Sequence, residues 1–134
     1  MKKLLYILIL TPLFLLSCKD STKTTTNVKT DYLGTYQGVL PCASCPGIKT
    51  TIELYKDNTY TYDTEYLGEN TELFTKKGTY TLLKNILSLQ LDDEEILHLK
   101  INKNQLIYLG KDTLVNTGAL ASFYILKKES KKNN

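Results

Sequence analysis

Cys42 and Cys45 stand three residues apart in "VLPCASCPGI", Val39 to Ile48, and the chain of 134 residues has one further cysteine, Cys18. A pair at this spacing supports three chemistries: thiol–disulfide exchange, a metal clamp, or a plain disulfide staple. Exchange of the thioredoxin kind uses a helix that opens at the first cysteine and stabilises its thiolate. Here Pro46 and Gly47 follow instead, and Pro46 pushes Cys45 towards extended geometry, so catalytic exchange is not expected. A staple closing four residues constrains the unfolded chain by only about 2 kcal/mol, enough to tidy one loop. Two soft thiolates together suit Cu(I). Other donors are scarce, because Met1 is the sole methionine and His98 the sole histidine. Alternation with Leu97 and Leu99 turns His98 towards solvent, and a four-ligand zinc site would have to recruit carboxylates. Spacing alone leaves staple and clamp open.

The elements that must hold this loop read as strands. Tyr60-Thr61-Tyr62-Asp63-Thr64-Glu65-Tyr66 places its aromatics on one face and its charges on the other. Ile48, Thr50, Ile52 and Leu54 share a face in the segment before it, and Asp57-Asn58 between the two is a favourable hairpin pair. The same pattern continues through Leu33–Leu40, Lys49–Lys56, Thr59–Tyr66, Thr71–Phe74, Gly78–Leu83, Ile86–Leu91, Ile96–Ile101, Gln105–Leu109 and Ser122–Leu126. If Thr71 to Leu83 is one bent strand the count is eight, with Gly78 as a candidate bulge. Links of two to four residues favour up-and-down antiparallel pairing, and closure removes exposed edges. The expected fold is all-β: a small antiparallel up-and-down barrel, lipocalin-like in form, with an open sandwich as the alternative. A barrel of this size either fills itself with side chains or holds one small ligand. Tyr36, Tyr60, Tyr62, Tyr66 and Tyr80 are the candidate lining; the plainer expectation is that the tyrosines pack the interior and turn their hydroxyls to water or backbone.

The first seventeen residues read as a targeting signal. Lys2 and Lys3 precede the apolar run Leu4 to Leu16, too short to span a bilayer comfortably, and Ser17 places a small residue directly before Cys18. The ending resembles a bacterial lipobox, which makes Cys18 the expected lipidation site and the membrane a partner through that anchor. Residues 18–31 then form a lipidated cysteine and a polar, threonine-rich tether, whose thirteen residues from Lys19 span on the order of 20 Å. One domain follows over 32–127, with a solvated tail over 128–134. Lys19-Asp20 resembles a short export signal of surface lipoproteins, and the face of the envelope is left open.

Charge excludes more than it suggests. Loss of Lys2 and Lys3 lowers the formal charge from +3 to +1, which gives no reason to expect nucleic acid or an acidic partner. All seventeen basic residues are lysines, so no bidentate guanidinium clamp for phosphate can be built. "LDDEEIL", Leu91 to Leu97, lacks the glycine and alternating ligands of a calcium loop and reads as a solvated hairpin turn. The chain has no phosphate loop, and nothing ties its one histidine to a nucleophile, so it is not expected to be an enzyme.

One resemblance covers the domain. "GTYQGVLPCASCPGIKTTIELYKDNTYTYDTEYLG", Gly34 to Gly68, resembles the N-terminal domain of the NlpE family of envelope lipoproteins. It carries the Gly-x-Tyr opening, the Leu-Pro-Cys-x-x-Cys-x-Gly-Ile turn and the Asp-x-Thr-Tyr hairpin. Lys77-Gly78-Thr79-Tyr80 and Phe123-Tyr124-x-Leu126 fit the same pattern. The resemblance implies a lipocalin-like barrel on the outer membrane, associated with copper resistance and envelope-stress signalling. Its Cys-x-x-Cys falls on Cys42 and Cys45, with Pro41, Pro46 and Gly47 shaping the loop. Fuller members carry a second, C-terminal domain with its own cysteine pair; this sequence shows no counterpart, so roles that depend on that domain are not expected. Copper, as Cu(I), is thus the candidate cofactor, and an envelope-stress protein the candidate partner. A barrel binding a small apolar ligand, with the cysteines as a structural disulfide, and a pure interaction protein are the alternatives.

Overall fold

In the computed structural model, which describes residues 31–68 and 71–130, eight antiparallel strands close into a barrel in chain order. They are β1 (Gly34–Leu40), β2 (Ile48–Leu54), β3 (Thr59–Tyr66), β4 (Glu72–Leu83), β5 (Ile86–Gln90), β6 (Ile96–Asn102), β7 (Gln105–Tyr108) and β8 (Ile125–Lys128). The leader, Cys18 and the tether up to residue 30 lie outside the described residues, as does the tail from 131.

Alternation fixes which side chains point inwards. The registers Tyr36↔Ile52↔Tyr62 and Leu87↔Leu99↔Tyr108 put apolar and aromatic residues on the same face of successive strands. Ile52, Leu87, Leu89, Leu99, Leu106 and Leu126 are wholly buried there, with Tyr36, Tyr60 and Tyr80. Burial of this apolar surface, at about 25 cal/mol per Å², is the main stabilising term.

The turns at one end are tight. Lys84-Asn85 joins β4 to β5 and Lys103-Asn104 joins β6 to β7, with Lys84 and Asn104 at φ 57° and 55°. Asn58 ends the β2–β3 turn at φ 63°, while the Asp57 carboxylate accepts from the Thr59 amide at 3.1 Å and from its hydroxyl at 2.6 Å. Residues in this left-handed region are the ones short hairpins require, and asparagine tolerates it best after glycine.

Thr71 to Leu83 is one strand, the alternative that makes the count eight: β4 runs unbroken for twelve residues with continuous register to β3. Three details need correction, the first being that Gly78 marks no bulge. Gly78 is there for space, since a Cβ would lie 2.9 Å from Gln90 O and 3.0 Å from Tyr60 Oη. The expected strand at Ser122–Leu126 starts late: Ala121–Tyr124 is a 3-10 turn packed near β1, and β8 begins at Ile125. β8 also runs to Lys128, paired with Tyr36, one residue past the expected domain end.

The barrel is uneven. β4 has twelve residues and β5 five, and they pair only from Tyr80↔Leu89 to Leu83↔Ile86. β1 meets β8 at only Tyr36↔Lys128 and Gln37↔Lys127. Strands β1 to β4 therefore rise beyond β5 to β8 at one end, the end that carries residues 41–47.

Candidate functional site: the cysteine loop

Residues 41–47 connect β1 to β2, and the pair Leu40↔Ile48 closes the hairpin beneath them. Cys42 and Cys45 form a disulfide, with Cα atoms 5.3 Å apart. Both are half-buried, while Ala43, Ser44 and Pro46 are exposed and Pro41 is half-buried. Gly47 is buried because the loop folds back on β1: a Cβ there would come within 2.5 Å of Val39 Cγ1. Its carbonyl accepts from the Leu67 amide at 3.0 Å, which ties the loop to the end of β3. Cys45 Sγ lies 3.3 Å from the same carbonyl, a position from which a reduced thiol would donate to it. No charged residue falls between Gln37 and Lys49. The loop is thus a neutral ring of two sulfurs at one rim. It stands seven strand residues, about 23 Å, from where the chain enters β1.

As a donor set, the reduced pair offers two adjacent thiolates and nothing else close by. Among the described residues no group of three or more His, Cys, Asp or Glu side chains is arranged for a metal. His98 sits on the outer wall, half-buried, its Nδ1 2.9 Å from Ser88 Oγ on the neighbouring strand. The set therefore fits two-coordinate Cu(I) and does not fit tetrahedral zinc.

The five candidate lining tyrosines separate into two groups. Tyr36, Tyr60 and Tyr80 are core residues whose hydroxyls donate to backbone carbonyls of Tyr32, Gln90 and Tyr55. Tyr62 is half-buried with its ionisation raised by burial, and Tyr66 is exposed at the rim, edge-on to Phe74 at 5.9 Å between ring centroids. One interior group went unnoticed in the sequence. The Tyr108 hydroxyl is buried beside Tyr62 and Thr50 with no hydrogen bond made among the described residues, and burial pushes its ionisation well up. An open groove of about 1280 Å³, lined by Leu33, Tyr55, Lys56, Asn104 and Lys128 among others, lies at the tether end of the barrel.

The acidic turn is a capped hairpin. Asp92 Oδ1 accepts from the amides of Glu94 and Glu95 at 3.1 and 2.9 Å, which hold its carboxyl below the usual range. Lys76 reaches across from β4 to Asp92 and Glu95 at 3.4 and 3.5 Å.

Fold and loop together define a class: a small closed barrel of lipocalin-like form that displays one cross-linked Cys-x-x-Cys ring at its rim. Residues 36–119 match the family described as the NlpE N-terminal domain, and the chain belongs to that family. It is 45% identical to the lipoprotein NlpE of Escherichia coli K12 over 47 residues, which are 34% of this chain and 20% of that protein. A solved putative lipoprotein of Shewanella oneidensis is 38% identical and superposes with a TM-score of 0.66, covering 74% of this chain and 90% of that one. The E. coli structure described as the Cpx pathway activator NlpE is 28% identical, with a TM-score of 0.55 over 75% of this chain. The match covers 48% of that structure, so this chain spans about half its length.

Proposed function

We propose that this protein is a membrane-anchored envelope lipoprotein that handles copper through its rim loop and takes part in the response to envelope stress. Cys18 carries the anchor to the outer membrane, and the barrel holds the Cys42–Cys45 ring away from it. A dithiol donor reduces the disulfide by thiol exchange, leaving two thiols here and a disulfide on the donor. Cu(I) then replaces both protons and is held by the two sulfurs. The observation that supports this reading is that the loop holds the two cysteines together, with Cα atoms 5.3 Å apart, so that once reduced their two thiolates face a common point. The description of the E. coli relative as a Cpx pathway activator supports a signalling partner. Because the match covers under half of that structure, the partner's identity rests on experiment.

The rival reading, a small apolar ligand inside the barrel with the cysteines as a structural disulfide, has the Cys42–Cys45 bond in its favour, but its cavity draws less support. Three of the five tyrosines it needs are core residues already engaged with backbone. The test is an anaerobic titration of the reduced full chain with Cu(I) against a coloured chelator. The parent should take one equivalent and a Cys42→Ser/Cys45→Ser variant none. Equal competition by the double variant would end the copper assignment.

A further inference from the structure

We infer that the upper half of β4 is a pairing edge for a second copy of this chain. The direction of its free hydrogen-bonding groups follows from two observed bonds. The Tyr80 amide donates across to Asn58 O at 2.8 Å, and the Tyr55 amide donates to Thr59 O at 3.0 Å. Even-numbered residues of β4 therefore turn their backbone groups to β3, and Leu73, Thr75 and Lys77 turn theirs the other way. No strand among the described residues lies on that side, because β5 pairs with β4 only as far as Tyr80. The free stretch carries two exposed apolar side chains among charged ones: Leu73 is 64% and Phe74 48% exposed, one on each face of the sheet, flanked by Glu72, Lys76 and Lys77. Exposed, apolar, unpaired strand edges are templates for another chain, and natural proteins blunt them when no partner exists.

The sequence of this edge is complementary to itself. Placed antiparallel about a two-fold axis at Phe74, two copies set Phe74 against Phe74, Leu73 against Thr75, and Glu72 against Lys76. Every one of these pairs falls on a common face, as strand alternation requires. Phe74 then forms the close non-hydrogen-bonded pair, and the two Leu73–Thr75 pairs each exchange two backbone hydrogen bonds. Lysines on an edge ordinarily oppose association. Here the inward Lys76 already bridges Asp92 and Glu95 within its own barrel, and in the dimer it meets a second carboxylate. Such an isologous contact closes on itself and does not propagate into fibres. It is small, so the dimer is a weak one.

The test uses the full chain in non-ionic detergent, followed by sedimentation velocity over a concentration series. The parent is expected to show a monomer–dimer equilibrium. Thr75→Pro removes one edge-facing amide and leaves the β3 ladder intact, so it should abolish the dimer without changing the far-UV spectrum. Glu72→Lys and Lys76→Glu each place like charges opposite one another twice, and each should weaken self-association about tenfold or more. A mixture of the two, one of them tagged, restores opposite charges at both positions, so a heterodimer should form where neither homodimer does. A parent that stays monomeric throughout, or dimers that survive all three substitutions, would overturn the proposal. So would folded single variants that fail to rescue each other.

Discussion

Reducing the Cys42–Cys45 disulfide should loosen one loop and leave the barrel standing. The ring closes over four residues, so the constraint it places on the unfolded chain is worth about 2 kcal/mol by loop-closure entropy. In the folded state, Ala43, Ser44 and Pro46 face water, and the loop's one buried residue, Gly47, is held by its own bond to Leu67. None of the core side chains belongs to the loop. A single leucine-to-alanine change in that core would cost about 2–5 kcal/mol, so the disulfide ranks with one modest core contact. We therefore expect equilibrium urea unfolding, read by far-UV circular dichroism with and without a dithiol, to show a loss of about 2 kcal/mol or less. The slope should not change, because no buried surface is gained or lost. The melting midpoint should fall by roughly 10 °C, given the entropy of a domain this size. A loss above about 4 kcal/mol, or a barrel that melts on reduction, would refute the reasoning. It would also remove the ground for copper binding, since free thiols would then exist only on an unfolded chain.

Tyr60→Phe removes the hydroxyl that bonds Gln90 O thirty residues away, and should cost about 1–2 kcal/mol in urea unfolding while leaving Cu(I) uptake unchanged. A change within error would mean that the bond adds nothing to the barrel. Alkali should destabilise the fold through its buried tyrosines. Burial, and then the charge of Asp31, pushes Tyr36 up to about 12, and burial also raises Tyr60, Tyr62, Tyr80 and Tyr108. These groups stay protonated in the folded barrel while the unfolded chain ionises near pH ~10. Their stabilisation is thus complete below that pH and is lost as pH rises through the folded values. Melting points measured from about pH 8 to about pH 12 should hold level and then fall; a flat profile would contradict the burial.

Most of the barrel was legible because strand alternation is written residue by residue. Tyr60, Tyr62 and Tyr66 share one face, and Asp57-Asn58 announces its turn. The errors fall where tertiary space decides. Gly78 looked like a bulge from sequence, but its role depends on the Tyr60 ring and Gln90 carbonyl arriving from two other strands. Ala121 to Tyr124 carries β-prone aromatics, yet it forms a 3-10 turn before β8 begins. The cysteine loop was legible as a turn with two sulfurs, whereas its lock to Leu67 was not, since that bond carries the β2–β3 ladder one rung past the expected end of the strand pair. Leu73-Phe74 did carry a signal: two adjacent apolar residues in a strand put one on each face, which a half-solvated strand does not need. The unbonded Tyr108 hydroxyl carried none, because whether a buried group finds a partner depends on side chains from other strands.

The unequal strand lengths explain why the cysteine ring sits at a rim. Leucines and tyrosines fill the middle of an eight-stranded barrel this small, so a binding group there would have to displace core. At the upper end β1 to β4 outgrow β5 to β8, and the sheet continues with one face and one edge unpacked. A loop on such an extension can change redox state or take up an ion at little cost to the fold, because few core contacts reach it. The same extension leaves β4 unpaired beside that loop's neighbours, Tyr66 and Phe74. Lengthening β5 to cover β4 would close the barrel more fully and remove the free edge. The mismatch is thus what a rim loop and a pairing edge both require, and it is written in the twelve residues of β4 against the five of β5.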